Sequence, residues 1–221
     1  MRWVVLGPPG SGKGTQARVI AARFGVPHVS TGDLLRAEKA AGTPIGREAE
    51  ARAEKGLFLP DADIVALLTR RLLAEDCRSG FVLDGFPRTV AQGEALDAWL
   101  AERGLRLDGV LFLDLPFDVI RRRAGNRRNC SNPSCQATYS LSARPPAKPG
   151  VCDLCGSPLI QRPDDRAEVV ETRLTEYAAK TAPLVPFYEA RGLLRTVPAD
   201  LGIDEVAARV AEALQSRPTA R

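Results

Sequence analysis

Histidine is almost missing from this chain: His28 is the only one among 221 residues. A serine–histidine–acid triad is therefore possible only around His28. That residue lies in Val26-Pro27-His28-Val29, which reads as a strand, and we take it as structural rather than catalytic. No apolar run approaches the about 20 residues that a membrane-spanning helix needs. Met1-Arg2 leads straight into Trp3-Val4-Val5-Leu6, with no leader-like apolar region or small-residue cleavage site, so a cytoplasmic protein with no membrane partner is expected. Lysine is scarce (Lys13, Lys39, Lys55, Lys148 and Lys180), which leaves the basic side almost wholly to arginine, the side chain that grips phosphate and carboxylate bidentately. The net charge of +4 is modest, and there is neither an internal repeat nor a low-complexity segment. The composition is that of a globular chain, long enough for one domain carrying inserted subdomains.

Against these absences stands one dense motif. Gly7-Pro8-Pro9-Gly10-Ser11-Gly12-Lys13-Gly14-Thr15 follows the apolar run Trp3–Leu6 and precedes a helical pattern over Thr15–Arg23. Strand, glycine loop and helix form the context of a phosphate-binding loop. The glycines let main-chain N–H groups turn toward phosphate oxygens, the helix aims its positive end at the same anion, and Lys13 adds a full charge. The general motif has Ser or Thr directly after the lysine, to hold magnesium. Gly14 stands there instead, and Thr15 follows, which implies a metal held through water.

Strands are expected at Trp3–Leu6, Val26–Val29, Phe81–Leu83, Val110–Leu113 and Leu194–Val197. Helical patterns run over Asp61–Glu75, Ala91–Arg103, Val119–Arg123, Arg166–Arg191 and Asp204–Ser216, with a frayed tail at Arg217–Arg221. Alternating strands and helices predict an α/β fold: a central parallel five-stranded sheet flanked by helices, with ligands at its carboxyl edge. Two stretches break the alternation. Thr31–Pro60 is mostly helical, and Asn126–Pro163 is rich in Pro, Ser, Asn and Cys; both read as insertions on the core.

Four of the five cysteines fall in the second insertion, as Cys130, Cys135, Cys152 and Cys155. Two close pairs across a medium loop match a closed, structural, all-thiolate zinc site in a ribbon-like hairpin. The spacing between Cys130 and Cys135 is slightly wide for such a site. Two disulfides and four independent thiols are the alternatives; the first suits a reducing compartment poorly and the second suits the clustering poorly. Arg123, Arg127 and Arg128 precede the cluster and Arg162 and Arg166 follow it, with Arg173 on the next helix. They read either as a clamp that folds over a bound triphosphate and excludes water, or as a solvated rim paired with Asp164, Asp165 and Glu168. A zinc ribbon beside a P-loop ATPase could also bind nucleic acid, but the modest charge and the few aromatics of the insertion offer no stacking platform.

Asp84-Gly85-Phe86-Pro87-Arg88 directly follows the strand Phe81–Leu83, and an aspartate there is where a magnesium partner belongs. Ser30-Thr31-Gly32-Asp33-Leu34-Leu35-Arg36 follows the strand at Val26–Val29 in the same way. Arg36 and Arg88, each beyond a strand end, suggest a second phosphate site facing the P-loop, and two phosphate sites suggest transfer between them.

At this point the chain resembles the adenylate kinases. The resemblance covers nearly its whole length and rests on GPPGSGKGTQ, STGDLLR, GLFLPD, FVLDGFPRT with Gln92, NRR and RLTEYAAKTAPLVPFY. It implies reversible, magnesium-dependent transfer of the ATP γ-phosphoryl group to AMP, giving two ADP, by a monomer with no nucleic-acid partner. Another nucleoside-monophosphate kinase is the alternative, against which Gln92 and Thr31 argue. The resemblance further implies that Gly10, Ser11, Gly12, Lys13, Gly14 and Thr15, with Arg123, Arg127, Thr138 and Tyr139, bind ATP. Thr31, Arg36, Leu57, Phe58 and Leu59 through their backbone, Gly85, Phe86, Pro87, Arg88, Gln92, Arg162 and Arg173 would bind AMP. Gln92 and the surroundings of Thr31 would read the adenine edge. Catalysis would rest on Lys13, Arg88, Arg123, Arg162, Arg173 and Asp84. Asp33 and Asp84 would organise magnesium through water, and the Phe86-Pro87 bond would be cis. Residues 1–29, 60–125 and 164–221 would be the core, 30–59 the AMP-binding insertion and 126–163 a zinc-bearing lid, the last resembling a bacterial subset of the family.

Overall fold

In the computed structural model, residues 1–135, 137–161 and 163–215 are described, positions 164 and 203 by their main chain only. In chain order the elements are β1 (Arg2–Leu6), α1 (Lys13–Phe24), β2 (His28–Ser30), α2 (Thr31–Ala40), α3 (Pro44–Ala53), α4 (Asp61–Leu72), β3 (Phe81–Asp84), α5 (Val90–Ala101), β4 (Gly109–Asp114) and α6 (Phe117–Asn126). Then come β5 (Arg127–Cys130), β6 (Thr138–Ser140), β7 (Leu159–Ile160), α7 (Ala167–Glu176), a π-helical turn over Tyr177–Thr181, α8 (Leu184–Glu189), β8 (Leu194–Pro198) and α9 (Ile203–Gln215). The last position of the expected helix Asp204–Ser216 and the expected tail Arg217–Arg221 lie outside the described residues.

The main sheet runs β2-β3-β1-β4-β8, with every pairing parallel. Parallel strands are buried on both faces, and the alternation along β1 divides the core accordingly. Trp3 and Val5 pack with Ile20, Leu111, Leu113, Ile120, Leu174 and Val210, on the side of α1, α6, α7 and α9. Val4 and Leu6 pack with Leu68, Leu83, Phe86, Leu96, Val110, Leu184 and Tyr188, on the side of α4, α5 and α8. Truncating a fully buried residue such as Leu111 to alanine removes transfer energy and leaves a cavity, a loss of about 2–5 kcal/mol.

The register sets the functional edge. Asp84, the last residue of β3, lies opposite Val5 of β1 and Ser30 of β2. The loop before α1, the start of α2 and the turn after β3 therefore leave the sheet side by side.

The expected helix Arg166–Arg191 is instead α7, the π turn and α8. Pro183 and Pro186 supply the reason: neither has an N–H to give the ladder, and their rings crowd the preceding turn. Ala182 N–H reaches back five residues, to Tyr177 O at 2.8 Å. The strand expected at Val26–Val29 begins only at His28, because Pro27 has no N–H to pair; its carbonyl accepts from Val82 N at 2.9 Å.

Both irregular stretches have structure of their own. α2 and α3 fill much of the first. The second is a three-stranded antiparallel sheet, β6-β5-β7, around a small cluster of Cys130, Tyr139 and Cys152.

Candidate active site

The loop after β1 folds tightly, with Ser11 N–H on Pro8 O at 3.2 Å and both Thr15 N–H and Gln16 N–H on Gly12 O. Lys13 Nζ donates to Gly7 O and Pro8 O, each at 2.7 Å. Ser11 Oγ and Gln16 Oε1 are buried and have no hydrogen-bond partner among the described residues. Buried polar atoms normally find partners, so a tight loop with an orphaned hydroxyl beside Lys13 suits an oxyanion.

Gly14 departs from the general motif for a steric reason. A Cβ at this position would lie 3.1 Å from Asp84 Oδ2. Any side chain there would press on the carboxylate, and glycine lets Asp84 approach the start of α1.

Asp84 is nearly buried. Burial pushes its carboxyl up, but the hydrogen bond from His28 and the charges of Lys13 and Arg88 prevail and hold it below the usual carboxylate range. His28 Nε2 lies 3.3 Å from Asp84 Oδ2, and a carboxylate can only accept, so the imidazole donates. The histidine read as structural thus touches the carboxylate of the site.

Burial pulls the Lys13 ammonium down to about 7; Asp84 opposes this, while Arg88, Arg173 and Arg127 add to it. Those three arginines come from the turn after β3, from α7 and from β5, so three separate segments bring positive charge within the field of one lysine. For Arg123, burial lowers the pKa and Asp200 is the main charge raising it. Arg127 makes a two-pronged pair with the buried Asp165, Nε to Oδ2 at 2.8 Å, so its charge is shared between that partner and the site. Arg162 lies outside the described residues.

On the second side, Gly85 must be glycine. Its φ is +77°, and a Cβ would meet Thr31 Oγ1 at 2.7 Å and Arg88 Nη2 at 3.3 Å. Thr31 Oγ1 donates to Gly85 O at 2.9 Å, and Arg88 Nε donates to the same oxygen at 2.8 Å. The Phe86-Pro87 bond is cis. Gln92 is engaged at both ends: Oε1 accepts from Arg88 N at 2.7 Å and Nε2 donates to Asp61 Oδ1 at 2.6 Å. Asp61 Oδ2 in turn accepts from Thr89 Oγ1 at 2.8 Å. The residue expected to read adenine is therefore also the one that fixes the Arg88 main chain. Thr181 Oγ1, on the π turn, donates to Arg88 O at 2.8 Å. Arg36 pairs with Asp33 on the exposed side of α2, which places Asp33 on an arginine rather than on Asp84. Leu57 is exposed, Phe58 half-buried and Leu59 at the border of the core.

Nothing in the sequence marks Asp61, Thr89 and Thr181 as site residues. Asp61 follows Pro60 at a helix start and reads there as an ordinary first-turn acid. Thr89 reads as an N-cap, which it also is, accepting from Gln92 N at 3.1 Å. Thr181 carries no sequence signal beyond its place two residues before Pro183; its burial appears only in the fold.

In the second insertion, the four cysteine sulfurs lie within 4.8 Å of one another. Cys130 and Cys155 Sγ are 3.4 Å apart, and Cys135 and Cys152 Sγ 3.7 Å apart, far beyond a disulfide bond of about 2.05 Å. Thiolates around a tetrahedral ion at about 2.3 Å stand about 3.8 Å apart, so the donor set and its spacing fit such a metal. The wide Cys130–Cys135 interval is taken up by a turn: Asn132 N–H donates to Cys130 Sγ at 3.4 Å, Asn132 Oδ1 accepts from Ser134 N at 3.0 Å, and Cys135 N–H returns to Asn132 O at 3.1 Å. Ser157 draws the Cys155 thiol down to about 6, and the Tyr139 hydroxyl draws Cys152 down, whereas burial pushes Cys130 up to about 12. Tyr139 is buried with its hydroxyl 3.5 Å from Cys152 Sγ. Its side chain is turned into the insertion, while Thr138 is exposed and its Oγ1 accepts from Asn129 Nδ2 at 2.9 Å.

A glycine loop carrying a lysine and an arginine-bearing strand end, side by side at the carboxyl edge of a parallel sheet and sharing one carboxylate, are the arrangement of a P-loop phosphotransferase. A model of the adenylate kinase family matches residues 5–193. The chain is 50% identical over 214 residues to the adenylate kinase of Moorella thermoacetica, covering 97% of this chain and 98% of that protein. It is 47% identical to the adenylate kinase of Symbiobacterium thermophilum, covering 98% and 99%, and 48% identical to that of Acidothermus cellulolyticus, covering 97% and 98%. The chain belongs to the adenylate kinase family and is a nucleoside-monophosphate phosphotransferase.

Proposed function

We propose that the chain carries the γ-phosphoryl group of ATP to AMP, reversibly, between the loop at Gly10–Thr15 and the arginine site beyond β2 and β3. One observation carries this assignment of residues: Asp84 lies against the start of α1, where a Cβ on Gly14 would stand 3.1 Å from its Oδ2, so the loop bearing Lys13 and the turn bearing Arg88 converge on one carboxylate. A phosphoryl group in flight spreads negative charge over its oxygens, and cations fixed beforehand stabilise it without reorganising. Lys13 and Arg127 would serve the ATP side, Arg88 and Arg36 the AMP phosphate, and Arg173 the region between them. Arg123 and Arg162 complete the clamp in this reading. The attacking AMP oxygen is already anionic, so the chain need supply no general base, in keeping with its single histidine.

Magnesium, carried by ATP, neutralises phosphate charge; Asp84, already ionised and close to Lys13, is suited to hold its waters, with Asp33 as a second carboxylate. We further assign zinc to Cys130, Cys135, Cys152 and Cys155, a donor set without oxygen or nitrogen and with no open position, hence structural. Residues 126–163 form the lid in this reading and 30–59 the AMP-binding insertion, and closing both keeps water from the transferring group. The family resemblance also carries a monomer acting in the cytoplasm. Among the described residues, no helix is long and apolar enough to cross a membrane.

The test is a panel of AMP, UMP, CMP and GMP at fixed magnesium-ATP. Turnover with AMP should exceed the others by orders of magnitude, and comparable rates with UMP would overturn the acceptor assignment.

A further inference from the structure

The reading above uses only the main chain of Leu57–Leu59, but the side chain of Phe58 is placed where it acts on the chemistry of the site. The Arg88 guanidinium carbon lies 4.8 Å from the centroid of the Phe58 ring, and Lys180 Nζ lies 5.8 Å from the same centroid. Three segments meet at this ring: the first insertion supplies Phe58, the turn after β3 supplies Arg88, and the π turn supplies Lys180.

Hydrogen bonds at the near end of Arg88 fix where its side chain starts. Gln92 Oε1 and Thr181 Oγ1 hold its main chain, and Gly85 O holds Nε. Beyond Nε, the guanidinium carbon lies over the Phe58 ring, a contact that restricts where the guanidinium can swing. That ring attracts the cation through its quadrupole and occupies none of its N–H groups. The main chain at Phe58 is itself held, since its carbonyl accepts from Arg52 Nη1 at 3.1 Å. Lys180 is tethered to Glu176 at 2.7 Å, which keeps the second cation at the ring without driving it onto Arg88.

We propose that the Phe58 ring is a positioning element for acceptor binding. It orders the Arg88 guanidinium so that its donor edge meets the phosphate of the incoming nucleoside monophosphate, and it couples the seating of the first insertion to that arginine. The inference rests on reading this edge as the acceptor site. Leucine at position 58 fills similar space without a π face, so it separates packing from the cation contact.

Steady-state kinetics of Phe58→Leu, Phe58→Tyr and the pair in an Arg88→Lys background test it. Phe58→Leu should raise KM for AMP about tenfold, the size of one partly desolvated cation–π contact, and leave KM for ATP within about twofold. Phe58→Tyr keeps the face and should restore KM for AMP. In the Arg88→Lys background the effect of Phe58→Leu should shrink severalfold, because the planar partner is gone. An unchanged KM for AMP in Phe58→Leu, an equal rise in KM for ATP, failure of tyrosine to rescue, or an undiminished effect in the Arg88→Lys background would each overturn the proposal. Calorimetric binding of AMP to the same variants reads the affinity directly, and Phe58→Met replaces Phe58→Leu if the latter is unstable. The outcomes also separate the two levels: a wild type that does not phosphorylate AMP removes the acceptor reading itself, whereas a wild type that does, with an indifferent Phe58→Leu, removes only the role of the ring.

Discussion

Binding of magnesium-ATP should draw a proton onto Lys13 at pH 8 and not at pH 6. Burial holds the free ammonium at about 7, against an ordinary 10.5, with Arg88, Arg173 and Arg127 adding to the depression and Asp84 opposing it. With a pKa of about 7, about nine-tenths of the lysine is neutral at pH 8 and about one-tenth at pH 6. Polyphosphate placed against Nζ favours the charged form and moves the pKa back toward its ordinary value. Uptake attributable to Lys13 is then about 0.9 proton at pH 8 and about 0.1 at pH 6. Titration calorimetry in buffers of different ionisation enthalpy measures it, as the slope of observed heat against buffer heat. Lys13→Arg is the reference, since arginine stays charged throughout; the difference between wild type and variant cancels the nucleotide's own titration. A wild-type-minus-variant difference that is the same at both pH values, or absent at pH 8, refutes the reasoning. The same shift acts on folding. Because the folded value lies below the unfolded one, the Lys13 contribution to stability is fully present above about 10.5 and is lost as pH falls to about 7.

Gly14→Ala sets a Cβ 3.1 Å from Asp84 Oδ2, while alanine is the better helix former by about 1 kcal/mol. Turnover should fall roughly tenfold or more with no drop in melting temperature, and a variant that loses both equally contradicts the steric account. Cys152→Ser should abolish stoichiometric metal, read by atomic absorption, and lower the melting temperature more than it lowers the rate per folded molecule. A chain purified without stoichiometric metal removes the zinc assignment. Tyr139→Phe should speed metal loss to a chromogenic chelator about tenfold, because the hydroxyl accepts from Asp153 N at 2.8 Å and so directs its single proton at Cys152 Sγ. An unchanged release rate would leave Tyr139 a packing residue only.

The parallel sheet was legible because buried strands are written as short apolar runs between helical patterns, and each of the five expected strands lies in it. The long pattern Arg166–Arg191 misled for a definite reason. Its 3.6-residue periodicity continues across Pro183, whereas the hydrogen-bond ladder cannot, and only the ladder reveals the π turn that brings Thr181 to Arg88. The P-loop and the strand-end arginines were legible because glycine and arginine are scarce in alternative roles at those points. The supporting polar network was not. Asp61 and Gln92 lie 31 residues apart in sequence, and nothing local in either marks the other as its partner. His28 illustrates the same limit: its strand was legible, but the register that sets it beside Asp84 is a property of the sheet.

The arginine-rich composition acquires a specific meaning at the active edge. Arg88, Arg127 and Arg173 there all disfavour the charge on Lys13, and Asp84 opposes them. Such a cluster costs stability through self-repulsion, and a bound polyanion relieves it. Ligand binding to the folded state stabilises by RT ln(1 + [L]/Kd), about 2.7 kcal/mol at a hundredfold excess over Kd, and adds to the relief of repulsion only through Kd itself. The repulsion therefore does not vanish from the balance; it is converted into nucleotide affinity and into stabilisation of the negative charge spread over the transferring phosphoryl group. Replacing the cluster's arginines by neutral residues should then raise the melting temperature of the free chain while lowering turnover. Arg88→Gln is the sharpest case, since its guanidinium contributes to the field at both Lys13 and Asp84. Differential scanning calorimetry beside the kinetic assay decides it: a variant that loses activity and stability together would mean that Arg88 is held by favourable contacts that outweigh the repulsion.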